Sequence, residues 1–191
     1  MRKLLVAVGL LACLATPAFA AQYCYVEAAA GGAIGANKLE SGGYSATVAT
    51  DGMTAGLGVG CDYLVDRFVL GGLARASLDR ITGTIDATRL RSSDLSYMIA
   101  ARAGFMINGS SLVYGLAGYK FQDLRIDVTT LDGKGLVLGG GFETDLGLFR
   151  IGLEGTRSDL GTFTDATSGD RLNPVDYRVM GTVKYLFHFG Q

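Results

Sequence analysis

The sequence predicts an all-β chain folded as an eight-stranded antiparallel up-and-down transmembrane β-barrel. Three observations predict it. Eight segments alternate between apolar and small or charged side chains, their connections alternate between short and long, and no apolar run after residue 20 is long enough for a membrane-crossing helix. Composition agrees: 49% of the chain is hydrophobic, yet 29 of its 191 residues are Gly and none is Trp. That glycine share is about twice the usual one and points to turns or to crowding against backbone.

The first twenty residues stand apart from this pattern. Met1-Arg2-Lys3 precedes an apolar run from Leu4 to Ala15, and Thr16-Pro17-Ala18-Phe19-Ala20 ends in the small-x-small pattern of a signal-peptidase site. Residues 1–20 are therefore expected to be a cleaved secretory signal peptide and residues 21–191 one outer-membrane barrel domain. A rival reading takes Leu10-Leu11-Ala12-Cys13 as a lipoprotein site leaving a lipidated Cys13, although Leu at its second position fits that pattern poorly.

The eight segments run roughly 22–35, 54–64, 68–78, 95–107, 111–122, 135–144, 149–158 and 176–189. In the first, Glu27 interrupts an Ala/Gly stretch with little contrast between its faces. The second is the clearest: Ala55, Leu57, Val59, Cys61 and Tyr63 share one face, and Gly56, Gly58, Gly60 and Asp62 the other. The third carries Arg75 against its apolar face. In the fourth, Leu95, Tyr97, Ile99, Ala101, Ala103, Phe105 and Ile107 oppose Ser96, Met98, Ala100, Arg102, Gly104 and Met106. The fifth, sixth and seventh bring Lys120, Glu143 and Glu154 to the less apolar side. In the last, Tyr177, Val179, Gly181, Val183, Tyr185, Phe187 and Phe189 face one way, and Arg178, Met180, Thr182, Lys184, Leu186 and His188 the other. Strands of ten to fourteen residues exceed the five or six usual in a soluble sandwich and suit a tilted crossing of a bilayer.

Short turns lie at Val65-Asp66-Arg67, Asn108-Gly109-Ser110 and Asp145-Leu146-Gly147-Leu148, and long polar loops are expected near 36–53, 79–94, 123–134 and 159–175. A bacterial barrel requires this order, with short turns in the periplasm and long loops outside. The loops contain Asp51, Asp79, Arg80, Asp86, Arg89, Arg91, Asp123, Asp127, Asp165, Asp170 and Arg171, a mixture of signs in which no ligand is legible.

If the apolar faces meet lipid, strand parity turns Glu27, Asp62, Glu143 and Glu154 into the barrel together with Arg75, Arg102, Lys120, Arg178 and Lys184. Eight strands leave an interior just wide enough for side chains. Unpaired, these charges would be costly, whereas a hydrogen-bonded network of nearly balanced sign is tolerable. Such a network either fills and fixes the barrel or lines a narrow ion path, and residue types alone do not choose between them.

Other chemistries find little support. Removing Arg2 and Lys3 from the 17 basic residues leaves 15 against 18 acidic ones, a net charge of −3 that does not invite nucleic acid. After residue 20 the chain has two Cys and one His, too few for a zinc or iron–sulfur site, and no cofactor is expected. Any Ser/His/Asp arrangement would need His188, at the periplasmic end of the last strand, so no catalytic role is assigned. Gly139-Gly140-Gly141 lacks the following helix and downstream acid of a nucleotide site. Asn108-Gly109-Ser110, formally a glycosylation acceptor, reads first as a hairpin turn. Cys24 and Cys61 fall at the periplasmic ends of neighbouring antiparallel strands. They are either bridged or two free thiols, since register is not readable from the sequence.

Leu57-Gly58-Val59-Gly60-Cys61-Asp62-Tyr63, Ala101-Arg102-Ala103-Gly104-Phe105, Gly139-Gly140-Gly141-Phe142-Glu143 and Gly152-Leu153-Glu154-Gly155-Thr156-Arg157-Ser158-Asp159-Leu160-Gly161 resemble strands of small outer-membrane barrels of the opacity-porin and α-proteobacterial surface-antigen type. The resemblance runs over residues 22–189. It implies a surface protein of a Gram-negative envelope concerned with envelope integrity, adhesion or host contact, and some members have been called porins. Implied partners are outer-membrane lipid and lipopolysaccharide, the barrel-assembly machinery, which would read Tyr185, Phe187 and Phe189 as its signal, and a host or surface ligand at the loops. This chain departs from the pattern in lacking Trp and in placing Gly190-Gln191 after the terminal aromatic residue.

Overall fold

The computed structural model describes residues 21–41, 44–85, 88–126, 129–161, 163–164 and 171–189, with side chains described over 23–35, 50–80, 95–122, 133–161 and 174–187. The expected signal peptide and the alternative Cys13 site lie outside the described residues. Eight long strands, β1 (Ala21–Ser41), β2 (Tyr44–Val65), β3 (Phe68–Ile85), β4 (Thr88–Met106), β5 (Ser111–Ile126), β6 (Thr129–Asp145), β7 (Phe149–Asp159) and β9 (Arg171–Phe189), pair antiparallel in chain order. The sheet closes because β9 pairs with β1 as well as β7. The two-residue β8 (Phe163–Thr164) continues the line of β7 along β9 beyond a break at Gly161, whose φ is 78°.

Register fixes the barrel's geometry. Paired positions lead once around the wall from Arg80 through Met53, Gly32, Val179, Gly155, Gly140, Gly115 and Ala103, returning to β3 at Leu70, ten residues (80 minus 70) lower. The stagger is even, so a side chain that points inward does so all the way round. With a rise of about 3.3 Å per residue and a strand spacing of about 4.8 Å, this stagger over eight strands tilts them by about 40°.

The hydrophobic sorting is inverted relative to a soluble protein. Leu57 is 71% exposed, and Val26, Ile99, Leu138, Leu153 and Val183 also face outward, while Glu27, Asp62, Glu143 and Glu154 are buried. Aromatic side chains bound this apolar belt. At the end of the short turns Phe68 meets Phe105 edge to face at 5.4 Å, and Phe149, Tyr185 and Phe187 form a second edge-to-face run. At the other end Tyr97 and Phe121 occupy paired positions, with Tyr119 and Tyr177 also exposed. Each residue of a strand so tilted climbs about 2.5 Å, so the ten-residue step from Tyr177 to Phe187 spans about 25 Å, the height of an outer-membrane apolar band.

The connections at this end are short because the chain supplies the residues they need. Asp66 takes φ 55°, a left-handed conformation that Asp tolerates. The Asn108 carboxamide oxygen accepts hydrogen bonds from the backbone N–H of Ser110 (3.0 Å) and Ser111 (2.6 Å). Gly147 sits at φ 93° with its N–H donated to Asp145 Oδ1 at 2.8 Å.

The other ends differ from expectation. The stretches expected as loops at 36–53, 79–94 and 123–134 are mostly paired strand, since Ser41 faces Tyr44, Ile85 faces Thr88 and Ile126 faces Thr129. Within 159–175, β8 and the start of β9 are also paired. Thr47, Val48, Thr50, Ile81, Thr82 and Ile85 are β-branched and hold extended backbone, so polarity marks where the strands leave hydrocarbon and not where the ladder ends. The wall nevertheless divides above the belt. Among the described residues, β4–β5 pairing starts at Ser96 and Gln122, and β6–β7 pairing at Leu136 and Asp159, so the outer part of the β5–β6 hairpin pairs only within itself.

Candidate functional site

The barrel interior gathers the ionic side chains. Inward positions of all eight long strands bring six buried carboxylates (Glu27, Asp62, Asp79, Glu143, Glu154 and Asp176) against six buried cations (Arg75, Arg102, Lys120, Arg150, Arg178 and Lys184) among the described residues. This balance permits burial, because an ion without a counter-ion at such depth would cost several kcal/mol (~3–5).

Two clusters divide the lumen. The first runs from the mouth beside the short turns to mid-barrel. Arg150 contacts Asp145 at 3.0 Å and donates to the Tyr23 hydroxyl at 3.0 Å. Arg102 grips Glu143 with two bonds of 3.0 Å and stacks over the Tyr114 ring at 4.1 Å. Lys184 joins Glu143 at 2.5 Å to Glu27 at 3.3 Å. Arg75 continues the chain, its Nε on Glu27 and its Nη1 on Glu154, each at 2.7 Å, and the Tyr114 hydroxyl donates to Glu154 at 2.8 Å. Asp62 is fully buried without a hydrogen bond and is held by charge, 3.4 Å from Arg102 Nε and 3.9 Å from Arg150 Nη1.

The second cluster lies toward the outer end. Arg178 makes paired bonds of 3.0 and 2.8 Å to Asp79 and one of 2.9 Å to Asp176. Lys120 meets Asp176 at 2.7 Å, and Thr54 and Ser96 donate to the remaining Asp79 lone pairs at 2.7 and 2.9 Å. Between the clusters remains a cavity of about 20 Å³ bordered by Arg75, Lys120 and Arg178, room for about one water molecule.

All nine charged residues expected inside from parity are there, each with an oppositely charged partner. Three others were not anticipated. Asp79, assigned above to a loop, is 1% exposed inside the wall because β3 continues to Ile85. Arg150, the second residue of β7, and Asp176, the sixth of β9, occupy inward positions that the same parity, applied to every residue of the segments expected at 149–158 and 176–189, would have found. Of the other residues assigned to loops, Asp86, Asp127, Asp165 and Asp170 lie outside the described residues, and Arg80 and Asp51 are exposed.

Cys24 pairs with Cys61 in the β1–β2 ladder and the two are disulfide-bonded, with Cα atoms 3.9 Å apart. Tyr185 and Phe187 are exposed on the outer face of β9. Phe189 pairs with Gln22 and His188 with Tyr23 through the backbone, while the side chains of both lie outside the described set. Among the described residues no group of His, Cys, Asp or Glu is arranged to hold a metal ion.

Residues 6–188 match the sequence model of a family described as outer membrane protein beta-barrel domain. Among solved structures, OprG from Pseudomonas aeruginosa is similar with a TM-score of 0.52 at 13% identity, over 89% of this chain and 97% of that one. Neisserial surface protein A is similar with a TM-score of 0.47 at 13% identity, over 85% and 96%. Ail of Yersinia pestis gives 0.47 at 16%, over 87% and 99%. At these identities the likeness to OprG concerns the fold alone. No curated protein matches the sequence.

Proposed function

The chain belongs to the outer-membrane β-barrel family, and from that membership we propose that it is a non-catalytic integral protein of the outer membrane, a closed, non-conducting support that carries its hairpins beyond the membrane for envelope integrity or surface attachment. The observation that carries this reading is the filled lumen: twelve ion-paired side chains in two layers leave a cavity of about 20 Å³ between them. Opening an ion path through these layers would separate Arg102 from Glu143 and Arg178 from Asp79, each pair joined by two hydrogen bonds. A rigid scaffold with variable ends is the common arrangement for surface recognition. Lipid and lipopolysaccharide would surround the belt, the assembly machinery would act on the aromatic end of β9, and a surface ligand would meet the hairpins.

The refolded barrel in a planar bilayer is expected to give no steady conductance, and regular single-channel steps would favour a narrow channel instead. Replacing the outer thirds of the hairpins by short turns should leave insertion intact and remove surface attachment by expressing cells. Undiminished attachment would refute the surface role.

A further inference from the structure

On the outer-membrane reading above, we infer that the Cys24–Cys61 bond is made before the barrel meets lipid, by exchange between the exported chain and a water-borne disulfide oxidant. β1 then enters assembly already tied to β2. Cys61 shares strand parity with Leu57 and Val59, which are 71% and 48% exposed on the outer wall, and Cys24 shares it with Val26. Both cysteines therefore stand on the lipid face, opposite each other in the β1–β2 ladder. Register gives their depth. Cys24 pairs with Phe187, a member of the aromatic ring beside the short turns. With strands tilted about 40° and about 4.8 Å apart, each step from β9 to β1 and on to β2 climbs about 3 Å away from those turns. The two cysteines thus lie about 3 to 6 Å inside the ring, with hydrocarbon in front of them.

Exchange needs what this position lacks. One cysteine thiolate attacks a sulfur of the oxidant's disulfide and displaces the other, giving a mixed disulfide; the second cysteine thiolate then attacks the first, forming Cys24–Cys61 and releasing the oxidant. In sum the cysteines give up two electrons and two protons, and the oxidant's disulfide takes them as it becomes a dithiol. Each attack requires an ionised sulfur, and an unpaired charge in hydrocarbon is costly. A water-borne oxidant also has no approach through the apolar belt. Before insertion neither obstacle exists. After residue 20 the chain holds only these two cysteines, so oxidation has a single intramolecular product and needs no isomerisation. β1 is the strand that closes against β9, and the oxidised chain brings it to that seam with its register to β2 set at Cys24 and Cys61.

The chain lacking residues 185–191, which cannot complete the seam, reports the order of events in cells. After acid quenching, its form without residues 1–20 should show no thiol reactive toward a maleimide until it is reduced. Two free thiols there, with the full-length barrel oxidised, overturn the proposal. Retention of residues 1–20 would instead count against export, and the purified protein decides the chemistry whatever becomes of the truncated chain. Residues 21–191, refolded in detergent micelles under dithiothreitol and freed of it, receive oxidised glutathione. Their thiols should be lost at least about tenfold more slowly than those of the same chain unfolded in urea. A folded rate within about tenfold of the unfolded one overturns the proposal. The control carries Cys24→Ser, Cys61→Ser and Ser110→Cys, whose single thiol lies in an exposed turn. It should react in micelles nearly as fast as unfolded, and an equally slow control would trace the delay to the micelle and overturn the proposal as well.

Discussion

Glu143 shows how a single residue is committed in this molecule. It is fully buried, bonded twice to Arg102 and once to Lys184, and lies 3.6 Å from Arg150. Glu143→Gln removes the charge that compensates these cations and should destabilise the barrel by about 3–5 kcal/mol in urea titrations, with Lys184→Met in the same chain recovering part of the loss. Full additivity of the two changes would mean that the pair is not coupled. On the outer face, depth decides. Leu57→Arg, in the middle of the belt, should cost about 2–4 kcal/mol, whereas Val65→Arg, beside the short turn at Asp66, should cost about 0–1 kcal/mol. Equal costs would displace the membrane from the aromatic rings that bound it. The inward charges in mid-strand were legible in the sequence because alternation is a local property of a few neighbours. Asp62 facing Arg102, or Arg75 facing Glu154, was not, because a partner across the lumen depends on register, and alternation carries no register.

At the level of elements, the strand ends at the short turns were read to within one or two residues from Val65-Asp66-Arg67, Asn108-Gly109-Ser110 and the turn containing Gly147. Each contains the residue its backbone needs. The outer ends were misplaced because loss of apolar contrast was equated with loss of strand, although Thr47, Thr50, Thr82 and Thr129 are good strand formers in water. The last strand has a special burden, since β9 pairs with both β7 and β1 and is the seam of the barrel. Deleting residues 185–191 would unpair five residues of β1, Gln22 to Val26, from β9 and strand their backbone groups in hydrocarbon, at several kcal/mol each (~2–7). The truncated chain should fail to give a heat-modifiable, protease-resistant form in the outer membrane. Deleting Gly190 and Gln191 alone should change neither property.

For the molecule as a whole, the even stagger, the outward apolar belt between two aromatic rings and the balanced ionic interior are one solution to one constraint: in lipid every backbone group must be paired and every charge turned away. The division of the wall above Ser96 and Gln122 and above Leu136 and Asp159 follows a different constraint, because water returns there as a partner for unpaired backbone. Its consequence is insulation against mutation. Among the described residues the outer part of the β5–β6 hairpin is paired to no other strand, so a change there should stay local, and that segment should accept lengthening, exchange or display of a foreign sequence while the ionic layers below remain undisturbed. Near the tips of β1 and β9, where Glu40 pairs with Arg171, the same change would be transmitted across the ladder.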